Sequence, residues 1–468
     1  MLGWRAKALI ISTVAGLLFV PTVEDPSSAT TVRPVGQVGA AFRSHFDPQL
    51  SSALSILNGR RRGGMTSRVN VSSAGLQANS STDGAALSGD GRYVAFPSYA
   101  SNLVPNDTNS LIDVFVRDRR NKTTTRASVS SSGIEADGES LDPTISEDGR
   151  YVVFTSGASN LVNGDTNGVD DVFIRDLRTR TTTRVSLTSG GAESNGAVSQ
   201  AAISADGRQV AFHSFASNLV PGDSNELGDV FVRHLQTGTT SRVSLTSSGT
   251  EVDNSSDAPA ISGDGRYVAF VSHGTNLVPD GDFNGWEDIY VRDRVARTTT
   301  RVSVSSTGGD SDHRNLQPAI NESGRYVVFS SFSSNLVPAD ANGVIDVFVR
   351  DLSTDSTNRV SLSSTDAEGN DGSGGAAISN DGRYVAFGTS ATNLIPDDNN
   401  QFSDVLLRDL RTHVNSRVNL SNTGAEANQD SFGPAIAGNV LDIAFLSFAS
   451  NLVRSDTNDL IDLFVRSG

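Results

Sequence analysis

The chain has 468 residues, 37% of them apolar and 19% charged, with 44 Gly and a formal net charge of -16. So acidic a chain argues against a nucleic-acid partner, which needs a basic surface, and the lack of cysteine excludes disulfides and thiolate metal sites. Glycine with abundant Ser, Thr, Asn and Asp suits many short strands joined by polar turns, so an all-β protein is expected.

The N-terminus reads "MLGWRAK" and then "ALIISTVAGLLFV", a basic start and an apolar run ending before Pro21, with a small-residue cleavage site at Ala29. This is the pattern of a secretory signal peptide over residues 1–29. The run is shorter than the roughly 20 residues that span a bilayer. The expected location is therefore secreted or periplasmic, with no membrane span after cleavage. Residues 30–65 match nothing else in the chain and read as a linker, with a short amphipathic helix between Phe42 and Leu57.

From residue 66 to 468 the sequence repeats. The phenylalanine closing "RYVAF" and its variants recurs at Phe96, Phe154, Phe212, Phe270, Phe329, Phe387 and Phe445, at intervals of 58 residues with a single 59. Each copy predicts four strands. Strand A is a small apolar run such as "PTIS"; a "DGR" turn leads to strand B, "YVVF"; a long polar loop leads to strand C, "DVFVRD"; and a turn leads to strand D, "TTRVSL". Strand B is apolar at successive positions, so both of its faces are to be buried. Four-stranded sheets packed on both sides by copies of themselves are propeller blades, and the fold class is an all-β, seven-bladed β-propeller. The series opens on a lone D strand, "TSRVNV", and ends on a lone C strand, "IDLFVRSG", so the first strand is expected to complete the last blade and close the ring.

The repeat "SGDGRYVAF…SNLV…D-x-N…DVFVRDL" over residues 67–468 resembles the WD40-like propeller repeats of the TolB family. That resemblance implies a secreted or periplasmic propeller used as a protein-binding platform; the founding member works at the envelope beside a peptidoglycan-associated lipoprotein. The chain departs from the TolB pattern in having seven repeats instead of six and no separate N-terminal domain. It also has no G-x-S-x-G elbow of the peptidases that carry related propellers.

In a blade of this order the B–C and D–A loops share one face. The B–C loops carry D-x-N-x3-D in every copy: Asp107, Asn109, Asp113; Asp165, Asn167, Asp171; Asp223, Asn225, Asp229; Asp282, Asn284, Asp288; Asp340, Asn342, Asp346; Asp398, Asn400, Asp404; Asp456, Asn458, Asp462. The D–A loops add pairs such as Glu135/Asp137 and Glu193/Asn195. Oxygen ligands at this density make the loops candidate calcium sites. The structural reading is an Asx turn at the Asn, with the last Asp accepting backbone N–H groups and the apolar fifth residue (Leu111, Trp286 and their counterparts) plugging the loop. On the opposite face the "GR" turns carry Arg92, Arg150, Arg208, Arg266, Arg325 and Arg383, read as solvated.

Enzymes on propellers place their chemistry at the channel mouth. Strand A is bland, but Asp83, Asp142, Gln200, Asp257 and Gln317 lie just before or at its start. Asp83, Asp142 and Asp257 are weak candidates for acid/base or metal-assisted hydrolysis. The six histidines share no repeat position, and no nucleophile–base pair is visible. The expectation is a monomeric, non-enzymatic scaffold that binds a protein or glycan through the acidic loop face; the alternative is a lactonase- or glycosidase-like hydrolase at the channel mouth.

Overall fold

The computed structural model describes residues 64–282 and 284–468, so the signal-peptide and helical-linker expectations fall outside the described residues. Those residues form seven antiparallel four-stranded sheets arranged as a ring, without a helix among them. No helix there is long and apolar enough to cross a membrane. Blade 2 shows the pattern: strand A is Ser140–Ile145, B is Tyr151–Ser156, C is Asp171–Asp176 and D is Thr181–Arg184.

Strand B is buried on both faces, as its unbroken apolar run predicts. Val152 and Phe154 pack with Val114 and Val116 of blade 1, whereas Val153 packs with Val210 and Phe212 of blade 3. The core is therefore a set of layers between blades. In every blade but the sixth, where Leu406 faces Phe387, the B–C pair brings two aromatic rings together within its layer, Phe154 on Phe173 at 6.0 Å between centroids.

The blades are also stitched by buried polar groups. Arg175 of strand C donates to Ser130 O of the preceding blade and to Thr182 Oγ1, both at 3.0 Å. Its counterpart Arg233 does the same toward Thr188 O. These guanidinium groups satisfy carbonyls that the strand ends would otherwise leave unpaired.

Ring closure follows the sequence expectation. Met65–Arg68 pairs with Asp462–Ser467 in the register Met65↔Ser467 to Arg68↔Phe464. Arg466 reaches Thr66 Oγ1 and Leu420 O at 3.0 Å, the same stitch as in the other blades.

The "GR" arginines differ from the solvated reading. Arg150 forms a two-pronged pair with Asp176 at the end of strand C, Nη2–Oδ2 2.7 Å, and lies over the Tyr151 ring at 4.6 Å. Arg92, Arg266, Arg325 and Arg383 repeat this with their own Asp and Tyr. Planar guanidinium matches both a carboxylate fork and a ring face, and that turns a loop residue into a clasp. In blade 3 Gln209 and His234 replace the Tyr and the Asp, and Arg208 reaches only Asp206 at 3.9 Å.

Candidate functional site at the channel mouth

The B–C and D–A loops do share one face. In blade 1 Asn102 Nδ2 donates to Gln77 O at 2.8 Å and locks the two loops together, above a wholly buried Leu103. The acidic motif is built around a cation from the chain itself. Arg126, at the end of strand D, lies 2.7 Å from Asp113, 2.8 Å from Glu135 and 3.5 Å from Asp107. Asp113 is fully buried and also accepts from Ser128 Oγ at 2.5 Å and Asn109 Nδ2 at 3.1 Å. The backbone acceptor role expected for this last Asp is therefore taken by side-chain donors. Asn109 Oδ1 accepts Leu111 N at 3.0 Å, which is the expected Asx turn, and Leu111 is half-buried.

The same guanidinium cage recurs around Arg184 with Asp165 and Asp171, Arg242 with Asp223 and Asp229, and Arg359 with Asp340 and Asp346. It recurs again around Arg417 with Asp398 and Asp404, and Arg68 with Asp456 and Asp462. Blade 4 varies it: Tyr290 replaces the second Phe and donates to Asp282 at 2.8 Å. Arg301 then stands 3.9 Å from Asp288. Burial, with Asp282 beside it, pushes Asp288 up to about 7. Burial likewise raises Asp223, Asp340, Asp404 and Asp456 to about 6, against the pull of their arginines. Two cages, Asp223/Asp229/Glu251 and Asp340/Asp346/Glu368, bring carboxylate oxygens within 4.8 Å of one another, a donor set that suits a hard cation. Arg242 and Arg359 hold those oxygens here, and a metal ion would have to displace them.

The mouth of the channel on this face is a part of the ring where the seven copies differ. The residue after strand B reads Tyr99, Gly157, Phe215, His273, Phe332, Ser390 and Phe448 around the ring. Tyr99, Phe215 and Phe448 expose about half of their surface. Strand A enters the mouth through a bulge whose residue has positive φ: glycine in blades 1, 6 and 7, but Asp142, Gln200, Ala258 and Gln317 in blades 2 to 5. A non-glycine residue held there is strained by about 1 kcal/mol, which the surrounding ladder sustains. Gln200 uses its position to accept Ala258 N of the next blade at 2.8 Å.

Blade 1 reaches the mouth differently. Pro97 stands in strand B opposite Asp83 and has no N–H to give the ladder, so strand A shrinks to Ala86–Leu87 and Asp83 N makes one bond, to Pro97 O at 3.3 Å. Asp83 is exposed at the rim, yet the funnel walls desolvate it and the Asp142 carboxylate beside it repels charge. Both raise it above the usual carboxylate range. Tyr99 is raised by burial, then by Glu139 and Asp83, so these four groups share one side of the mouth. Asp170 is raised by burial and by Asp171 and Glu139.

The structure thus brings Asp83 and Asp142 together and leaves Asp257 apart. Asp257 is raised by burial, with His273 opposing and Glu287 adding to the shift. Close by, Trp286 stacks on His313 at 4.2 Å with the planes 13° apart, and Arg314 lies 5.9 Å from the indole and 3.9 Å from Glu287. Tyr99, Glu139, Phe215, His273, Glu287 and Arg314 escape a search for motifs because no motif contains them. Their signal in the sequence is divergence: aligned by repeat, they occupy the columns that change most.

No family model matches the chain, and no curated protein matches it. Many solved structures do. An oligogalacturonate lyase in complex with manganese is 11% identical, covers 82% of this chain and 87% of its own, and has a TM-score of 0.50. The β-propeller domain of the Trilobed protease from Pyrococcus furiosus is 13% identical over 83% and 95%, with a TM-score of 0.51. TolB from Acinetobacter baumannii is 13% identical over 76% of each chain, with a TM-score of 0.37. At these identities the likeness is one of fold alone, and the fold is that of a β-propeller. It corrects the functional expectation: a propeller of this shape is carried by a lyase, so the architecture supports a propeller scaffold but gives no ground for calling it non-enzymatic.

Proposed function

We propose that the protein is an enzyme that hydrolyses an uncharged glycan at the channel mouth, with Asp83 as general acid and Asp142 as general base. One observation carries this reading. At the mouth, where the residue after strand B varies from blade to blade, a carboxyl raised above the usual carboxylate range stands beside a second carboxyl, with exposed aromatic rings at the rim. Paired carboxyls can protonate a glycosidic oxygen and activate water. Flat aromatic faces suit the apolar faces of sugar rings, while carboxylates accept their hydroxyls.

Charge selects among glycans. Asp83, Glu139, Asp142, Asp170, Asp257 and Glu287 lie at the loops around the mouth, where Arg314 opposes them, so a polyuronate is repelled. The galacturonate of the lyase with the similar fold is thus a poor guide to the substrate. Export to the extracytoplasmic space, for which the basic and apolar N-terminus speaks, would put the enzyme where such polymers occur. Calcium is not required by this reading, because guanidinium groups already neutralise the loops that frame the site.

The test is a screen of neutral aryl glycosides and soluble neutral polysaccharides with the purified chain. Asp83→Asn and Asp142→Asn should each lower kcat/KM by about 100-fold or more with unchanged melting temperature. Turnover that survives both changes would remove the assignment.

A further inference from the structure

Blade 6 lacks the side chains that fill the ends of strands A and B next to the mouth in the other blades. At the position before the bulge, Asp83, Leu141, Ser199, Asp257, Leu316 and Phe432 give way to Gly374; opposite it in strand B, Pro97, Thr155, His213, Val271, Ser330 and Leu446 give way to Gly388. The rim residue is Ser390, where blades 3, 5 and 7 have phenylalanine, and Gly372 precedes strand A.

The fold does not demand these glycines. Gly375 has φ +62° and fills the left-handed bulge, but Gly374 and Gly388 are not in that region. A Cβ on Gly374 would come no closer than 3.4 Å to Ser330 Oγ and 3.9 Å to Ile345, and one on Gly388 no closer than 3.6 Å to Gly374 O. These are ordinary contacts. Glycine inside a strand weakens it and often marks close approach of another chain. A second observation marks the same place. Ser330 is wholly buried, its Oγ has no hydrogen-bond partner, and that Oγ faces the cleared position of Gly374. A buried hydroxyl without a partner calls for one.

We infer that the mouth is open on one side and that the substrate is the interior of a long, neutral glycan chain, which leaves the mouth over blade 6. This rests on the reading of the mouth as a glycan-hydrolysing site. Phe332 on one side of the gap and Phe448 on the other are the rings that flank the chain, and Gly374 and Gly388 floor its path. A site for chain ends would instead be walled all round.

The experiment compares the wild type with Gly374→Leu/Gly388→Leu, which installs the leucines of blades 2, 5 and 7, and with Ser390→Phe, which blocks the rim without entering the strands. Each is run in native gels containing hydroxyethyl cellulose, galactomannan, arabinoxylan or dextran, and assayed on that polymer and on the aryl glycoside the wild type cleaves. The expected result is retardation of the wild type by one polymer, and loss of that retardation and about tenfold of the polymer rate in both variants. Aryl-glycoside turnover and melting temperature should stay within about twofold and 2 °C. If the double variant does not fold, Ser390→Phe decides. Unchanged retardation in the variants overturns the path over blade 6. Cleavage of aryl glycosides by a wild type that no polymer retards overturns the open-sided site and leaves the hydrolase standing. Neither cleavage nor retardation overturns both, as does retention of the wild type by an unfolded basic protein alone.

Discussion

At the residue scale the informative side chain is the arginine at the end of strand D. Arg242 stands within 3.3 Å of Asp223 and 3.0 Å of Asp229 and also pairs with Glu251. Its charge is what allows three carboxylates to crowd a half-buried loop. Removing one partner of a buried ion cluster leaves uncompensated charge, which costs about 3–5 kcal/mol. Arg242→Met should therefore lower the melting temperature sharply, while the three carboxylates it frees become a hard-cation site. Millimolar calcium should then raise the melting temperature of the variant but leave that of the wild type unchanged, since only binding to the folded state stabilises. A wild type that melts higher in calcium than in chelator would show that the guanidinium yields to the metal. The D-x-N-x3-D motif was legible in the sequence, but its cation was not. An arginine on the next strand, outside the motif, fills the role, and only the strand order brings the two together.

At the scale of elements, the clasp aspartates of the "GR" turns and the raised aspartates of the loop cages respond to pH with opposite signs. Asp176 and Asp293 are held near 2 by paired guanidinium and backbone N–H groups that outweigh their burial. The folded state there binds fewer protons than the unfolded chain, so this stability is present above the ordinary value of 3.8 and is lost as pH falls toward 2. Asp223, Asp340, Asp404 and Asp456 lie near 6 and Asp288 near 7, mainly through burial. They keep protons that the unfolded chain has released, so their contribution falls as pH rises from about 4 to 7. The melting temperature should be highest near pH 4 and decline on both sides, and Asp176→Asn should flatten only the acid limb. A melting temperature that rises steadily to neutrality would contradict the raised carboxyls. Strand existence and order were legible because apolar periodicity and turn residues repeat seven times. The clasps were missed because a turn arginine reads as solvated until the end of strand C, 26 residues on in sequence, is placed beside it.

At the scale of the molecule, the repeats hold the ring and the departures from repetition make the site. A chain of equivalent blades has two open edges unless its first strand completes its last sheet, and here Met65–Arg68 does so. The closing strand brings Thr66 to Leu420 O, Arg68 to Asp456 and Asp462, and leads into Asn70, whose amide donates to Asp462 at 2.6 Å. Closure thus completes both the inter-blade stitch and the cage of blade 7. A chain begun at Val71 should melt at least about 10 °C below one begun at Gly64, since it loses a ladder, a buried ion cluster and the protection of the sheet edge of Asp462–Ser467. The loss should extend to the mouth: Phe432 and Phe448 belong to blade 7, and a loosened blade 7 leaves the trough of blade 6 without its far wall. Polymer turnover should therefore fall more steeply than aryl-glycoside turnover in the shortened chain at temperatures below its melt. Equal losses on the two substrates would mean that blade 7 supports the fold but does not shape the path of the glycan.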